Sequence, residues 1–219
     1  MKSEVRSQKS ETVLVCFALK EEAAPFRKIA SNKSGFTILF TGIGKTNAEK
    51  SVRDFLTIHS PRLVLSCGFA GGLNPDLDLG AVIFATEDET LRQQLIAANA
   101  RPANFFCTAQ IAITVAEKNQ LRQKTGADAV EMESEAIRSV CRERGIPCGT
   151  VRVVSDTAKE DLPLDFNQFF KPDLSLDYGK LAWAIGKSPW KIGALLRLRK
   201  RCRFAAEQLA EVLRKIIFP

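Results

Sequence analysis

Proton chemistry in this chain has to run on carboxylates. His59 is the only histidine among 219 residues, which removes a Ser-His-Asp triad, a Cys-His dyad and any two-histidine metal site. The candidates are acids placed where a strand gives way to a turn or helix: Glu21-Glu22, Glu131-Met132-Glu133 and Ser155-Asp156. Asp156 follows the apolar run Thr150–Val154, so its carboxyl stands at a sheet edge, where partial desolvation favours the protonated form that a general acid needs. An Asp in that place serves equally as the N-cap of a following helix. Glu131 and Glu133 open a segment of helical spacing, where acids are favoured by the helix dipole. A carboxylate there is also an acceptor for the two hydroxyls of a ribose, with Met132 lying against the apolar face of the sugar.

Two glycine clusters fall at comparable places. Gly68-Phe69-Ala70-Gly71-Gly72 permits close approach of backbone to a flat ligand, or simply makes a tight turn. Gly42-Ile43-Gly44-Lys45 reads the same two ways. Neither is GxGxxG or a P-loop, which speaks against a dinucleotide or triphosphate site.

The elements that must position these groups follow from periodicity. Residues 12–19 (TVLVCFAL) are apolar without alternation, as in a strand covered on both faces, and a helix is expected from about Lys20. Residues 36–41 form a second strand, and Ala48, Val52, Phe55 and Leu56 recur at helical spacing until Pro61 ends the unit. Leu63–Cys67 is expected to be a strand closed by Gly68, Gly71 and Gly72, with another strand over Gly80–Ala85. Residues 117–124 read as helix. Met132, Ala136, Ile137, Val140 and Cys141 make one face of a helix that begins at the Glu131–Glu133 acids and stops at Gly145. Thr150–Val154 is the next strand. Strands alternating with helices give an α/β fold: one domain with a central mixed, twisted sheet flanked by helices. In such a sheet ligands collect at the carboxyl ends of the strands, where every candidate above falls.

Residues 1–11 read as a polar extension and 12–219 as the domain, with a basic helical region over about 180–219 and an irregular loop with one helical turn at 163–179. Forty-five per cent hydrophobic and 26% charged residues describe a globular chain. The opening MKSEVRSQKS lacks a signal-peptide core and no run approaches a membrane span, so a cytoplasmic location is expected. Six cysteines without a CxxC pair are expected reduced and mostly buried. Residues 180–219 hold ten Lys and Arg against two acids, whereas the other 179 residues are close to neutral. That asymmetry points to an anionic surface partner rather than to nucleic acid. In this region Leu181, Ile185, Ile192, Leu195, Leu196 and Leu198 alternate with basic residues, and Trp183 and Trp190 sit among them. The segment is either a peripheral contact with an anionic membrane or a helical cover for the sheet.

Five blocks taken in order carry a resemblance: Ala18–Glu22, Thr41–Ala48, Cys67–Leu73, Ala129–Ser134 (AVEMES) and Val151–Asp156 (VRVVSD). They are similar to the purine nucleoside phosphorylase and nucleosidase superfamily, most of all to the methylthioadenosine/S-adenosylhomocysteine nucleosidases. The resemblance implies cleavage of the N-glycosidic bond of an adenine nucleoside with a 5′-substituted ribose, through an oxocarbenium-like sugar, in a homodimer without metal or organic cofactor. It makes Asp156 the acid at purine N7 and Glu22 the group that activates water, with Arg152 beside it. Glu133 becomes the ribose-diol acceptor and Met132 the sugar-packing residue. Ile43 lines the 5′ pocket, Ala70 and Gly71 supply backbone near ribose and base, and Ser155 adjoins the acid in the substrate site.

Water and phosphate are both nucleophiles in such a family, and a nucleoside-binding protein without catalysis could share the fold. A phosphorylase needs arginines and glycine amides after the first strand, whereas Lys20-Glu21-Glu22 stands there. An acidic pair repels phosphate and suits water. Phe69 replaces the serine usual in those nucleosidases, and the stretch from Ala85 to Ala109 is shorter than theirs, changes that point to a bulkier 5′ group. Residues 156–166 and the basic tail resemble a shorter branch, the hopanoid-associated phosphorylases or adenosylhopane nucleosidases, whose implied substrate carries a large lipid.

Overall fold

A computed structural model describes residues 10–171, 177–187 and 189–218. The rest of the expected polar extension, residues 1–9, lies outside them, as do residues 172–176 of the expected loop. The chain runs β1 (Ser10–Phe17), α1 (Lys20–Ile29), β2 (Phe36–Phe40), α2 (Lys45–Ile58), β3 (Pro61–Gly72), β4 (Val82–Thr86) and α3 (Glu89–Ala97). It continues through β5 (Arg101–Pro102), β6 (Phe105–Cys107), α4 (Val115–Thr125), β7 (Ala129–Glu131), α5 (Ser134–Glu143) and β8 (Cys148–Asp156). A 3-10 turn (Phe166–Phe169), α6 (Tyr178–Lys187), a second such turn (Pro189–Lys191) and α7 (Ile192–Ile217) complete it.

One eight-stranded sheet has the order β2-β1-β3-β8-β4-β5, with β7 on the far part of β3 and β6 beside β7. β1, β2, β3 and β8 are parallel, while β4 runs against β8 and β7 against β3. The expected mixed sheet is therefore present. β1 shows why its sequence does not alternate. Val13, Val15 and Phe17 enter a core with Phe26, Leu91, Leu95 and Leu209, and Leu14 and Cys16 enter another with Ala48, Val52, Ile137 and Val140. Successive side chains point to opposite faces, and here both faces are covered. Helices α1, α3 and α7 close the first, α2 and α5 the second. In α7, Ala205, Leu209, Leu213 and Ile216 form the buried stripe. A fully buried leucine there contributes about 2–3 kcal/mol, and Leu209→Ala would cost about 2–5 kcal/mol.

Two element boundaries differ from expectation. The glycine cluster does not close β3 but lies inside it: pairing with β8 continues to Gly71↔Asp156, and Gly71 and Gly72 also pair with β7. A glycine run commonly ends a strand, but here two neighbouring strands satisfy its backbone and keep it extended. The acids at 131–133 do not open α5 either. Glu131 ends β7, and its Oε2 accepts from the amides of Glu133 at 2.9 Å and Ser134 at 2.8 Å, so the side chain two residues upstream satisfies the first orphan donors of the helix. Asp156, likewise, is the last residue of β8. The helices expected over the basic tail are present as α6 and α7, and no helix among the described residues is long and apolar enough to cross a membrane. The six cysteines are free, three of them buried.

Candidate active site

At the carboxyl end of β1, Glu22 takes the third position of α1 and is buried. Its Oε2 accepts from the amide of Leu19 at 2.9 Å and its Oε1 from the amide of Phe69 at 2.9 Å. The first bond is the reach-back half of a capping box, satisfying the Leu19 amide, while the Ser or Thr half is missing because Leu19 is the N-cap. Burial pushes the carboxyl up to about 7, with Glu133 adding to the rise against the opposing pull of Arg152 and the two amides. At neutral pH the group therefore passes readily between acid and base.

Arg152 enters from β8 and is buried. Its Nη2 donates to Glu131 Oε2 at 2.7 Å and Glu133 Oε2 at 3.1 Å, with Ser66 Oγ at 3.3 Å. One guanidinium thus links three acids, since its charge also acts on Glu22. Room for this arrangement comes from Gly68. A Cβ there would lie 2.6 Å from Glu22 Oε1 and 2.7 Å from Arg152 Nη1, and its φ of +150° is one that side chains rarely adopt.

Glu131 and Glu133, two residues apart, are shifted in opposite directions. Burial pushes Glu131 up, but Arg152 and the amides of Glu133 and Ser134 outweigh it and hold the carboxyl below its usual range. Burial pushes Glu133 up and the charge of Glu131 adds to it, against Arg152. Glu131 is thus a fixed structural anion, and Glu133 is the acid whose bonding can change. Glu133 Oε1 accepts from the amide of Gly44 at 2.9 Å, which brings the loop carrying Ile43 beside it. Met132 is buried between the two acids.

The last corner is the end of β8. Ser155 Oγ donates to Asp156 Oδ1 at 2.9 Å, and the Nζ of Lys118, from α4, lies 2.6 Å from Asp156 Oδ2. Gly71 packs close to this corner: a Cβ there would stand 3.1 Å from Val130 Cγ1 and in contact with Asp156 Oδ2 at 3.4 Å. Beyond it, Glu160 accepts from the Thr157 amide at 2.8 Å and forms a two-pronged pair with Arg201 of α7. Arg201 and the Thr157 bonds hold Glu160 down at about 2, although its partial burial works the other way. Cys202, next along α7, is pushed up to about 11 by burial and by the charge of Asp156. The inner face of α7 therefore borders the site.

Glu22, Arg152, Glu133, Met132 and Ile43 share one end of this acidic cluster, and Ala70, Gly71, Ser155 and Asp156 line the adjoining part of the same sheet edge. Sequence reading missed Lys118, Glu131 as the anion fixing Arg152, and Gly68 as the gap between Glu22 and Arg152. Glu131 stood in plain view beside Glu133. Lys118 carried no signal, since a lysine in a polar helix reads as solvated. A separate cavity of about 580 Å³ lies between α2, β6 and α5, lined by Lys45, Glu49, Phe106, Cys107, Glu135 and Arg138. Its lining takes in neither Glu22 nor Asp156, and we place the chemistry with the converging buried acids.

The described residues hold no group of three metal-ligating side chains. The model of the phosphorylase superfamily matches residues 21–111 and 88–185. Among curated proteins, the chain is 29% identical to a 5′-methylthioadenosine/S-adenosylhomocysteine nucleosidase of Glaesserella parasuis, over 63% of this chain and 75% of that protein. It is 26% identical to an aminodeoxyfutalosine nucleosidase of Campylobacter jejuni, over 60% and 72%. Among solved structures, futalosine hydrolase of Helicobacter pylori shares the fold with a TM-score of 0.67 at 17% identity, covering 93% of this chain and 97% of that one.

Proposed function

The chain belongs to the phosphorylase superfamily, and from that premise we propose that it is an N-glycosidase that hydrolyses a purine nucleoside and releases the base. The observation that carries the reading is Glu22, a buried carboxyl raised to about 7 at one end of a cluster whose other end presents Asp156. A base near neutrality suits removal of a proton from water, and an acid at the far side suits delivery of one to the departing base.

In this reading the C1′–N9 bond breaks with its electron pair going to the purine, and Asp156 gives its proton to N7. Water forms the new bond to C1′ and passes a proton to Glu22. Each Glu133 oxygen bonded to Gly44 or Arg152 retains a lone pair for a ribose hydroxyl, with Met132 packed on the sugar. Ile43 borders the 5′ substituent, Ala70 and Gly71 give backbone, and Ser155 orients Asp156. Water is favoured over phosphate because Glu22 already occupies the Phe69 amide with a carboxylate, which repels an incoming anion. The residues present need no metal or organic cofactor for these steps.

The finer assignment is adenine as base and a 5′-linked hydrocarbon of hopanoid type as the substituent, in a homodimer of cytoplasmic location with peripheral membrane contact. Its support is the outer surface of α6 and α7. Trp183 and Trp190 are 65% and 75% exposed, and Ile192 and Leu196 are exposed beside them. Residues 178–203 hold eight Lys and Arg and no acid. Each basic residue near an anionic bilayer contributes on the order of 1 kcal/mol. The side chains of Leu181 and Ile185, from the same expected stripe, lie outside the described residues.

The test is incubation with adenosine, methylthioadenosine and a 5′-alkylated adenosine, with and without phosphate, following free base and sugar product. Base release with free sugar is expected, fastest for the alkylated substrate. A sugar 1-phosphate would replace hydrolysis by phosphorolysis, and no base release from any of them would leave a binding protein. Co-sedimentation with vesicles of rising anionic lipid content checks the surface: binding should weaken with salt, and none at low salt removes the membrane contact.

A further inference from the structure

Lys118 is the least expected charge in the molecule. It sits in the first turns of α4, a helix of mostly polar sequence, yet its side chain is 0% exposed. Its ammonium has three N–H groups and meets three oxygens: Asp156 Oδ2 at 2.6 Å, the carbonyl of Thr157 at 2.8 Å and the carbonyl of Glu160 at 3.0 Å. Burying an ammonium costs several kcal/mol unless partners replace its water, so the placement is one the fold supports at some expense. The support is visible. Thr114 and Glu117 cap α4 reciprocally, the amide of Val115 donates to Asp161 Oδ1 at 2.7 Å, and the amide of Leu162 donates to the carbonyl of Ile113 at 2.8 Å. The start of α4 and the segment after β8 are thus laced together around one lysine.

We infer that Lys118 is the positioning residue for Asp156, holding its carboxyl in one orientation toward the departing base. The inference rests on the glycosidase reading. Delivery of a proton to N7 needs the Asp156 carboxyl aimed at the base, and the ammonium, itself fixed by two backbone carbonyls, holds Oδ2 at 2.6 Å. A catalytic group held in its working geometry before the reaction needs no reorientation during it. Ser155 holds the other oxygen. Of the remaining charged and titratable groups around Asp156, Arg201 of α7 is committed to Glu160, and Cys202 of α7 is pushed up by burial and by the charge of Asp156. That leaves Lys118 as the cation in contact.

The experiment compares two leaving groups. A purine needs a proton to depart, whereas the p-nitrophenolate of a p-nitrophenyl riboside leaves unaided. Lys118→Met should lower kcat for the purine nucleoside at least 30-fold with KM within threefold, and change p-nitrophenyl riboside cleavage by less than threefold. In an Asp156→Asn background the same substitution should add less than threefold, because Lys118 acts through Asp156. Equal losses on both substrates, or losses that multiply with Asp156→Asn, would overturn the assignment and leave Lys118 a structural tie. If Lys118→Met does not fold, Lys118→Gln keeps a donor for the two carbonyls without the charge and allows the same comparison. The wild-type protein gives an independent check: a protected lysine ammonium resonance in a ¹⁵N spectrum should move on Asp156→Asn, and its absence counts against the pairing. Failure of the wild-type enzyme to release any base would instead defeat the glycosidase reading.

Discussion

The amide of Phe69 donates to Oε1 of Glu22 at 2.9 Å, tying the interior of β3 to the first turn of α1. A carboxyl fixed in this way by the backbone of a neighbouring strand cannot swing away from the sheet edge. Its oxygens keep one free lone pair each, directed by the fold rather than by a rotamer.

Glu22 also sets a pH dependence. Its carboxyl is raised from 4.5 to about 7, so the folded protein binds this proton more tightly than the unfolded chain does. The stabilisation is complete below about pH 4.5, declines as pH rises to about 7 and is absent above, by an upper bound on the order of 3 kcal/mol. Glu22→Gln removes the titration, and its melting temperature should fall less than that of the wild type between about pH 5 and pH 8. Parallel melting curves across that range would refute the assignment. Wild-type turnover should rise through about pH 7 as Glu22 ionises, and the variant should lose about 10²–10⁴-fold.

Asp156→Asn should cut purine release by about 10²–10⁴-fold while leaving substrate binding near that of the wild type. The amide keeps a hydrogen bond to N7 but has no proton to give. Single-turnover base release beside a binding isotherm makes the distinction, and turnover near the wild-type value would remove Asp156 from the acid role.

How much of this was legible beforehand depended on the kind of signal. The strands announced themselves because burial on both faces demands unbroken apolar runs, as in Val13–Phe17. Glu22, Glu133 and Asp156 could be found because strand ends are few and acids there are conspicuous. Gly68 could not, since a glycine inside a strand reads as its end unless the carboxyl and guanidinium that crowd it are known. Lys118 could not either, because its partners lie 38 to 42 positions further along the chain and no local pattern encodes such a distance.

Gly68→Ala tests the gap between Glu22 and Arg152. A methyl 2.6 Å from one carboxylate oxygen and 2.7 Å from the guanidinium must displace both, on a backbone that already disfavours a side chain. A destabilisation of about 2–3 kcal/mol and loss of most turnover are expected in denaturant titration and base-release assays. Unchanged values would mean that the acids have more room than this geometry allows.

Arg152→Met should be costlier still. Removing the guanidinium leaves Glu131 and Glu133 buried at 2.7 and 3.1 Å from an absent partner, and breaking such a group costs about 3–5 kcal/mol. Adding Glu131→Gln and Glu133→Gln to Arg152→Met should recover part of the stability without recovering activity. A triple variant less stable than Arg152→Met alone would contradict this account.

The position of α7 has a consequence in time. Phe26 of α1 stacks on Phe218 at 6.3 Å, and Arg201 braces the segment that follows Asp156 through Glu160, so α7 closes over α1 and props the end of β8. At about 5–20 residues per second of synthesis, Glu22 precedes Arg201 by roughly 10–40 s. For that interval Glu22 is part of the growing chain and the helix that covers its face of the sheet is not. The segment after Asp156 gains its Arg201 brace, and Phe26 its Phe218 partner, only once α7 has been made.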